Sequence, residues 1–307
     1  MNIKRCTVFL TAAFVLGMFS PSMVFAQKFL QDLNAIKALE PGTYTITLTE
    51  DVTLNTVFNR EHFFSFIDFT GFEGKTIIIQ GDSQRRAITR STERTLFAVR
   101  NNVSIILGNN ITLNGNSKAS DIVIVHDGGK LEMRNGAEIR GNSGCGIAVN
   151  GTFNMTGGTI RDNKTNQKGG GVNVYGGIFS MSGGIISGNT SIGDMAGGGG
   201  VAVLGSGTFI MIGGTISGNT SSAGGGVYVS NGTFNMLGGT INNNYAHDGG
   251  GLCIYSGTFI KTGGSIDNSN QAVLNGNIVS GDIIRNSIAG PNVNLDSRIS
   301  GAEGGWE

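Results

Sequence analysis

The feature that most constrains this chain is a repeat. Four glycine triplets, each followed by an aliphatic residue, stand at Gly169-Gly170-Gly171-Val172, Gly198-Gly199-Gly200-Val201, Gly224-Gly225-Gly226-Val227 and Gly249-Gly250-Gly251-Leu252. Phe-x-Met pairs share the period at Phe153/Met155, Phe179/Met181, Phe209/Met211 and Phe234/Met236, followed by Gly-Gly and by an Ile with an Asn three residues later. A period of this length marks a solenoid or an array. Within each unit three short apolar runs alternate with period two, the signature of half-buried strands. Such runs are too short to stand as isolated hairpins. Coiled, each pairs in parallel with its equivalent one turn on, about 4.8 Å away. The predicted fold is therefore all-β: a single-stranded, right-handed parallel β-helix in which like stacks on like.

The corners carry the polar signal. Tight corners favour φ > 0, which Gly adopts cheaply and Asn next best. Asn116, Asn142, Asn163, Asn189, Asn219 and Asn244 are expected to form one structural column, with amide ladders running from turn to turn. Three of them begin glycosylation sequons, for which corner structure is the simpler explanation. An N-terminal cap and the first irregular turns are expected over 27–75: a short helix with Phe29, Leu30, Leu33, Ile36 and Leu39 on one face, ended by Pro41-Gly42, then a first strand read from the alternation of Tyr44, Ile46 and Leu48, then an aromatic segment with Phe58, Phe63, Phe64, Phe66, Phe69 and Phe72. The coil proper is expected over 76–270, with an irregular turn and tail over 271–307.

Residues 1–26 read as a secretory leader: Lys4 and Arg5, a short apolar run from Val8 to Met18, then Val24-Phe25-Ala26 before Gln27. The expected location is secreted or at the cell surface, with no transmembrane helix after cleavage. Lys and Arg total 21 and so do Asp and Glu, a balance that gives no electrostatic case for nucleic acid. Outside the leader only Cys145 and Cys253 remain. Their columns lie about four turns apart, so no disulfide is expected.

The unit Gly-Thr-Phe-x-Met-x-Gly-Gly-Thr-Ile-x-x-Asn, at 151–163, 207–219 and 232–244, resembles the β-helix repeats of exported bacterial surface proteins. It is similar to the Gly-Gly-Ala-Ile and Phe-x-x-Asn tetrapeptides of polymorphic outer-membrane proteins, read here as Gly213 to Ile216 and Ile216 to Asn219. The resemblance implies a pectin-lyase-like fold and an adhesin-like role. That family's autotransporters end in a membrane barrel, for which too few residues follow position 270.

The sequence offers no catalytic, cofactor-binding or metal-ligating constellation. Acidic residues between 144 and 270 are only Asp162, Asp194, Asp248 and Asp267, without the pairing that polysaccharide chemistry needs. His126-Asp127 and His247-Asp248 fall at different corners and read as turn residues. The expected function is a non-catalytic, surface-displayed structural or adhesin-like solenoid. The alternative is a carbohydrate-active enzyme or carbohydrate-binding module on the same fold. Partners are a surface or protein, or a carbohydrate. One candidate contact patch emerges from alternation: Phe209 and Met211 inward put Ile210 and Ile212 outward, joined by Leu237 and Ile260 on the next turns.

Overall fold

The computed structural model describes residues 21–54, 65–193, 196–266 and four strands within 271–294, with side chains from 24 to 266 inside those limits. The chain is a parallel β-solenoid of about eight turns with one N-terminal helix. Three long walls run its length among the described residues. The Phe wall has ten strands from Thr43–Leu48 to Val293–Asn294, the Ile wall nine from Val52–Leu54 to Ser265–Ile266, and the Val wall nine from Ser65–Asp68 to Ile284–Asn286. Each turn passes through them in that order before returning to the Phe wall.

The register stacks like on like. Phe153, Phe179, Phe209, Phe234 and Phe259 align in one column, and Met155, Met181, Met211 and Met236 in the next, all fully buried. The first four phenyl rings stack at 4.7–4.8 Å and within 9° of parallel. That distance is the strand spacing itself, so ring stacking and ladder pairing reinforce one another. Towards the N-terminus the same columns continue in aliphatic form, as Ile77, Ile105 and Leu131 beside Ile79, Leu107 and Met133. The alternation of Tyr44, Ile46 and Leu48 falls on the first strand, Thr43–Leu48, which pairs in full register with Thr76–Gly81. Beyond 270, Ile284–Asn286 and Val293–Asn294 still extend the Val and Phe walls.

A fourth, short wall begins at Lys164–Thr165 and continues through Thr190–Ser191, Thr220–Ala223 and Tyr245–Asp248. Its first strands have two residues each, one of them inward, so they leave no alternation to read. The wall exists because the segment between the Ile and Val walls lengthens from 141–146 in one turn to 162–171 in the next.

The cap is the helix Pro21–Lys37, with Pro at its first position and Lys in its last turn. Ala26, Phe29, Leu33 and Ile36 lie buried in the main core, and Leu30 is partly buried against it. Leu39 departs from the predicted face: it lies beyond the helix end and is exposed. Phe69 and Phe72 do plug the same end, with Phe69 edge-on to both Phe72 and Phe97. Phe58, Phe63 and Phe64 lie outside the described residues, as does the side chain of Phe66.

Candidate functional site

The asparagine column is real from Asn163 to Asn244, and all four side chains are fully buried. Each amide nitrogen donates to the next turn's Oδ1: Asn163 to Asn189 at 2.9 Å, Asn189 to Asn219 at 3.0 Å and Asn219 to Asn244 at 3.0 Å. The same oxygen accepts the preceding Asn's backbone N–H, and Nδ2 of Asn189, Asn219 and Asn244 also donates back to Ile160, Ile186 and Ile216 carbonyls. Corner groups that would otherwise be orphaned are thus paired. The glycine triplets make the room. A Cβ on Gly200 would stand 2.9 Å from Ile216 Cγ2 and 3.1 Å from Asn219 Nδ2, while Gly198 has φ +72°. The first glycine turns the corner and the third lets the next turn's asparagine in.

Upstream the column changes character. Asn142 is buried, but its amide donates to the carbonyls of Ser120 and Cys145, and its Oδ1 accepts from the guanidinium of Arg90. Asn163 Oδ1 is left buried without a hydrogen-bond partner at this junction. Asn116 does not join the column. It sits exposed in the left-handed region (φ 52°), donating to the Arg90 carbonyl, because the Arg90 side chain occupies the interior there. Arg90 is fully buried. Its guanidinium donates to the carbonyls of Gly115, Arg94, Asp121, Lys118 and Ser120 besides Asn142. Burial lowers its pKa to about 10, still cationic at neutral pH. An inward charge after Ile88-Thr89 was the signal available in the sequence.

The contact patch stands on the outer side of the Phe wall. Ile212, Leu237 and Ile260 are 53, 48 and 39% exposed, and Ile210 is half-buried. Ile212 and Leu237 occupy the same place in adjacent turns; Asn235 separates Ile210 from Ile260. Ile178, two columns across, is also exposed.

A cleft of about 840 Å³ opens where the short wall starts. The turn that ends at Cys145 has a short corner, and the next carries Lys164–Thr165 and its loop, so a step is left against the outer side of the Val wall. Asp121, Cys145, Lys164, Lys168, Asn173 and Ile192 are among its lining residues. Burial pushes the Asp121 carboxyl up to about 6, although its Oδ1 accepts the Cys145 N–H at 3.2 Å. Burial also raises the Cys145 thiol well above its ordinary range. Cys145 and Cys253 are both buried thiols outside any disulfide, in different columns. Asn173 Oδ1 is buried and has no hydrogen-bond partner.

His126 and His247 are not brought together. His126 follows the Val-wall strand Val123–Val125 and lies 3.0 Å from Arg100, whereas His247 lies on the short wall. Among the described residues no group of His, Cys, Asp and Glu is placed to hold a metal ion, and no helix is long and apolar enough to cross a membrane. Comparison with protein-family models, curated proteins and solved structures finds no match.

Proposed function

We propose that this chain is an exported, surface-displayed, non-catalytic solenoid of adhesin-like type, whose outer walls bind a protein partner. The observation that carries the reading is the Phe wall's outer side, where Ile212 and Leu237, each one residue past a strand end, and Ile260 on Gly257–Lys261 stand exposed beside strands locked behind by stacked Phe and Met columns. Contiguous apolar exposure on a rigid face favours association with another apolar surface. The chain's own C-terminal strands do not compete for it in the described part, since Val293–Asn294 adds to the edge of the wall. Export rests on the leader at 1–26. Cleavage there would fall within the helix Pro21–Lys37, removing buried Ala26 and leaving Phe29, Leu33 and Ile36 of the cap. The resemblance to polymorphic outer-membrane repeats favours the same role.

Protease shaving of intact cells expressing the full chain should release solenoid fragments, and protection of the chain would overturn the surface reading. The Ile212→Ser, Leu237→Ser double variant should lose adhesion to protein-coated surfaces at unchanged melting temperature. Unchanged adhesion would remove this wall from consideration.

A further inference from the structure

We propose that residue 27 is a processing and modification site: the leader is cut away before the cap helix docks, and Gln27, thus set at the N-terminus, closes on itself to a pyroglutamyl lactam. Export through the leader at 1–26 is the premise; the apolar wall plays no part.

The order of events follows from where the bond to be cut lies. Ala26–Gln27 falls inside the helix Pro21–Lys37, which packs on the first strands of the Phe and Ile walls, Thr43–Leu48 and Val52–Leu54. Ala26 and Phe29 are buried on either side of the bond, and Phe25 packs against the core. Peptidases cut chain that is exposed or locally unfolded. A bond held in a docked helix beside a buried side chain is neither, so the cut precedes docking.

The modification follows from what the cut leaves. Residues 27–37 keep the buried face of the cap through Phe29, Leu33 and Ile36. Gln27 is exposed on the opposite face, and among the described residues no hydrogen bond engages its side chain. The new α-ammonium would stand at the positive end of the shortened helix, where a cation is unfavourable. The remaining first turn, Gln27, Lys28, Phe29 and Leu30, holds no carboxylate and adds the Lys28 charge. Asp32, one turn on, is already paired with Lys28 at 2.7 Å. Lactam formation removes the terminal charge. The unprotonated α-amine attacks Cδ of its own side chain; the N–Cδ bond forms, the Cδ–Nε2 bond breaks, and Nε2 leaves as ammonia with the proton that the amine gives up. An α-amino group titrates close to neutral pH, so the nucleophilic form is present without any co-reactant. Because Gln27 faces solvent, the ring closes without disturbing the core.

The test is intact-mass and N-terminal sequence analysis of the full chain expressed with its leader in an exporting bacterial host. The expected product begins at residue 27, is lighter than the linear form by one ammonia, and is blocked to sequencing until a pyroglutamyl peptidase opens it at Lys28. Gln27→Ala should be cut at the same bond and be open to sequencing without that step. Purified chain folded with its leader in place should be cut by leader peptidase about tenfold or more slowly than the Phe29→Ser, Leu33→Ser variant, whose cap is undocked. A linear Gln27 terminus would overturn the lactam and leave the leader reading intact. A product that retains residues ahead of Gln27 would overturn the leader reading itself. Equal cutting of the folded parent and the undocked variant would overturn the order of events.

Discussion

The turns before Arg140 and those after Ile147 solve one problem in two ways. Both must seat polar corner groups against an apolar core. The later turns do it with a repeated device, one asparagine per turn, each bonded to the next. The earlier turns do it with a single buried guanidinium that reaches five carbonyls and Asn142, just upstream of the asparagine column. A repeated device spreads its contribution over many equivalent positions, and loss of one member leaves the others in place. A unique device concentrates it. The two halves should therefore fail differently, and mutation can measure the difference.

The largest effect is expected at Arg90. Arg90→Met keeps most of the volume but leaves a set of buried carbonyls and Asn142 Oδ1 without donors. Breaking a buried charged network of this kind costs about 3–5 kcal/mol, a large part of a domain's net stability. Chemical denaturation should show the midpoint collapsing, or the protein failing to fold. A change under about 1 kcal/mol would mean that water replaces the guanidinium readily.

Asn219→Ala comes next, at about 2–3 kcal/mol. It strips the acceptor from the Asn189 backbone N–H and a donor from the Ile186 carbonyl, each a buried polar group worth about 1–3 kcal/mol when orphaned, less what local relaxation recovers, while Asn189 Nδ2 keeps the Ile160 carbonyl and Asn244 Oδ1 keeps the backbone N–H of position 219. Hydrogen exchange should localise the loss to the turns on either side of Asn219, whereas Arg90→Met should expose the N-terminal turns as a block. Equal spread of protection loss in the two variants would erase the distinction between the halves.

The regular half was legible in the sequence because stacking converts a sequence period into a spatial column. Phe209 and Met211 predict their own neighbours, and the third glycine of each triplet marks where the next asparagine enters. The early half was legible only as strands. Leu113 and Asn116 keep the Ile-x-x-Asn spacing, yet Asn116 turns outward because a side chain from the previous turn, Arg90, already fills the interior. Spacing records the local chain and says nothing of what another turn projects into the same space. The cleft was hidden for a related reason. It arises from a difference in corner length between two adjacent turns, and its members Asp121, Lys164 and Asn173 carry no motif among themselves.

Asp121 lies at the boundary of the halves and provides a pH-dependent comparison of about 3 kcal/mol at most. Its carboxyl is raised from 3.8 to about 6 by burial, so the folded state holds the proton more tightly than the unfolded chain does. Its ionisation therefore opposes folding: the penalty is absent below the ordinary carboxylate range and grows as pH rises from about 4 to about 6, then stays constant. Asp121→Asn retains an oxygen for the Cys145 N–H and removes the charge. The stability difference between variant and parent should rise with pH through that window and level off above it. A difference independent of pH would show that Asp121 ionises in the fold as freely as in the unfolded chain.

The smallest effect is expected at the C-terminal edge of the regular half, where the repeat itself lapses. Lys261 takes the place of Met236 in register, and at this turn the Phe stack loosens, with Phe234 and Phe259 at 5.2 Å and 28°. Lys261 is half-exposed, so its stem covers the core edge while the ammonium reaches water. Lys261→Met would restore the column and add apolar burial without removing an ion pair among the described salt bridges. The expected gain is under about 1 kcal/mol, little more than one methylene's worth of burial, because the position stays partly open. A rise of a degree or two in melting temperature would place the end of the regular half at Lys261. A fall would mean that the ammonium serves the following turn, and that the column ends one turn earlier, at Met236.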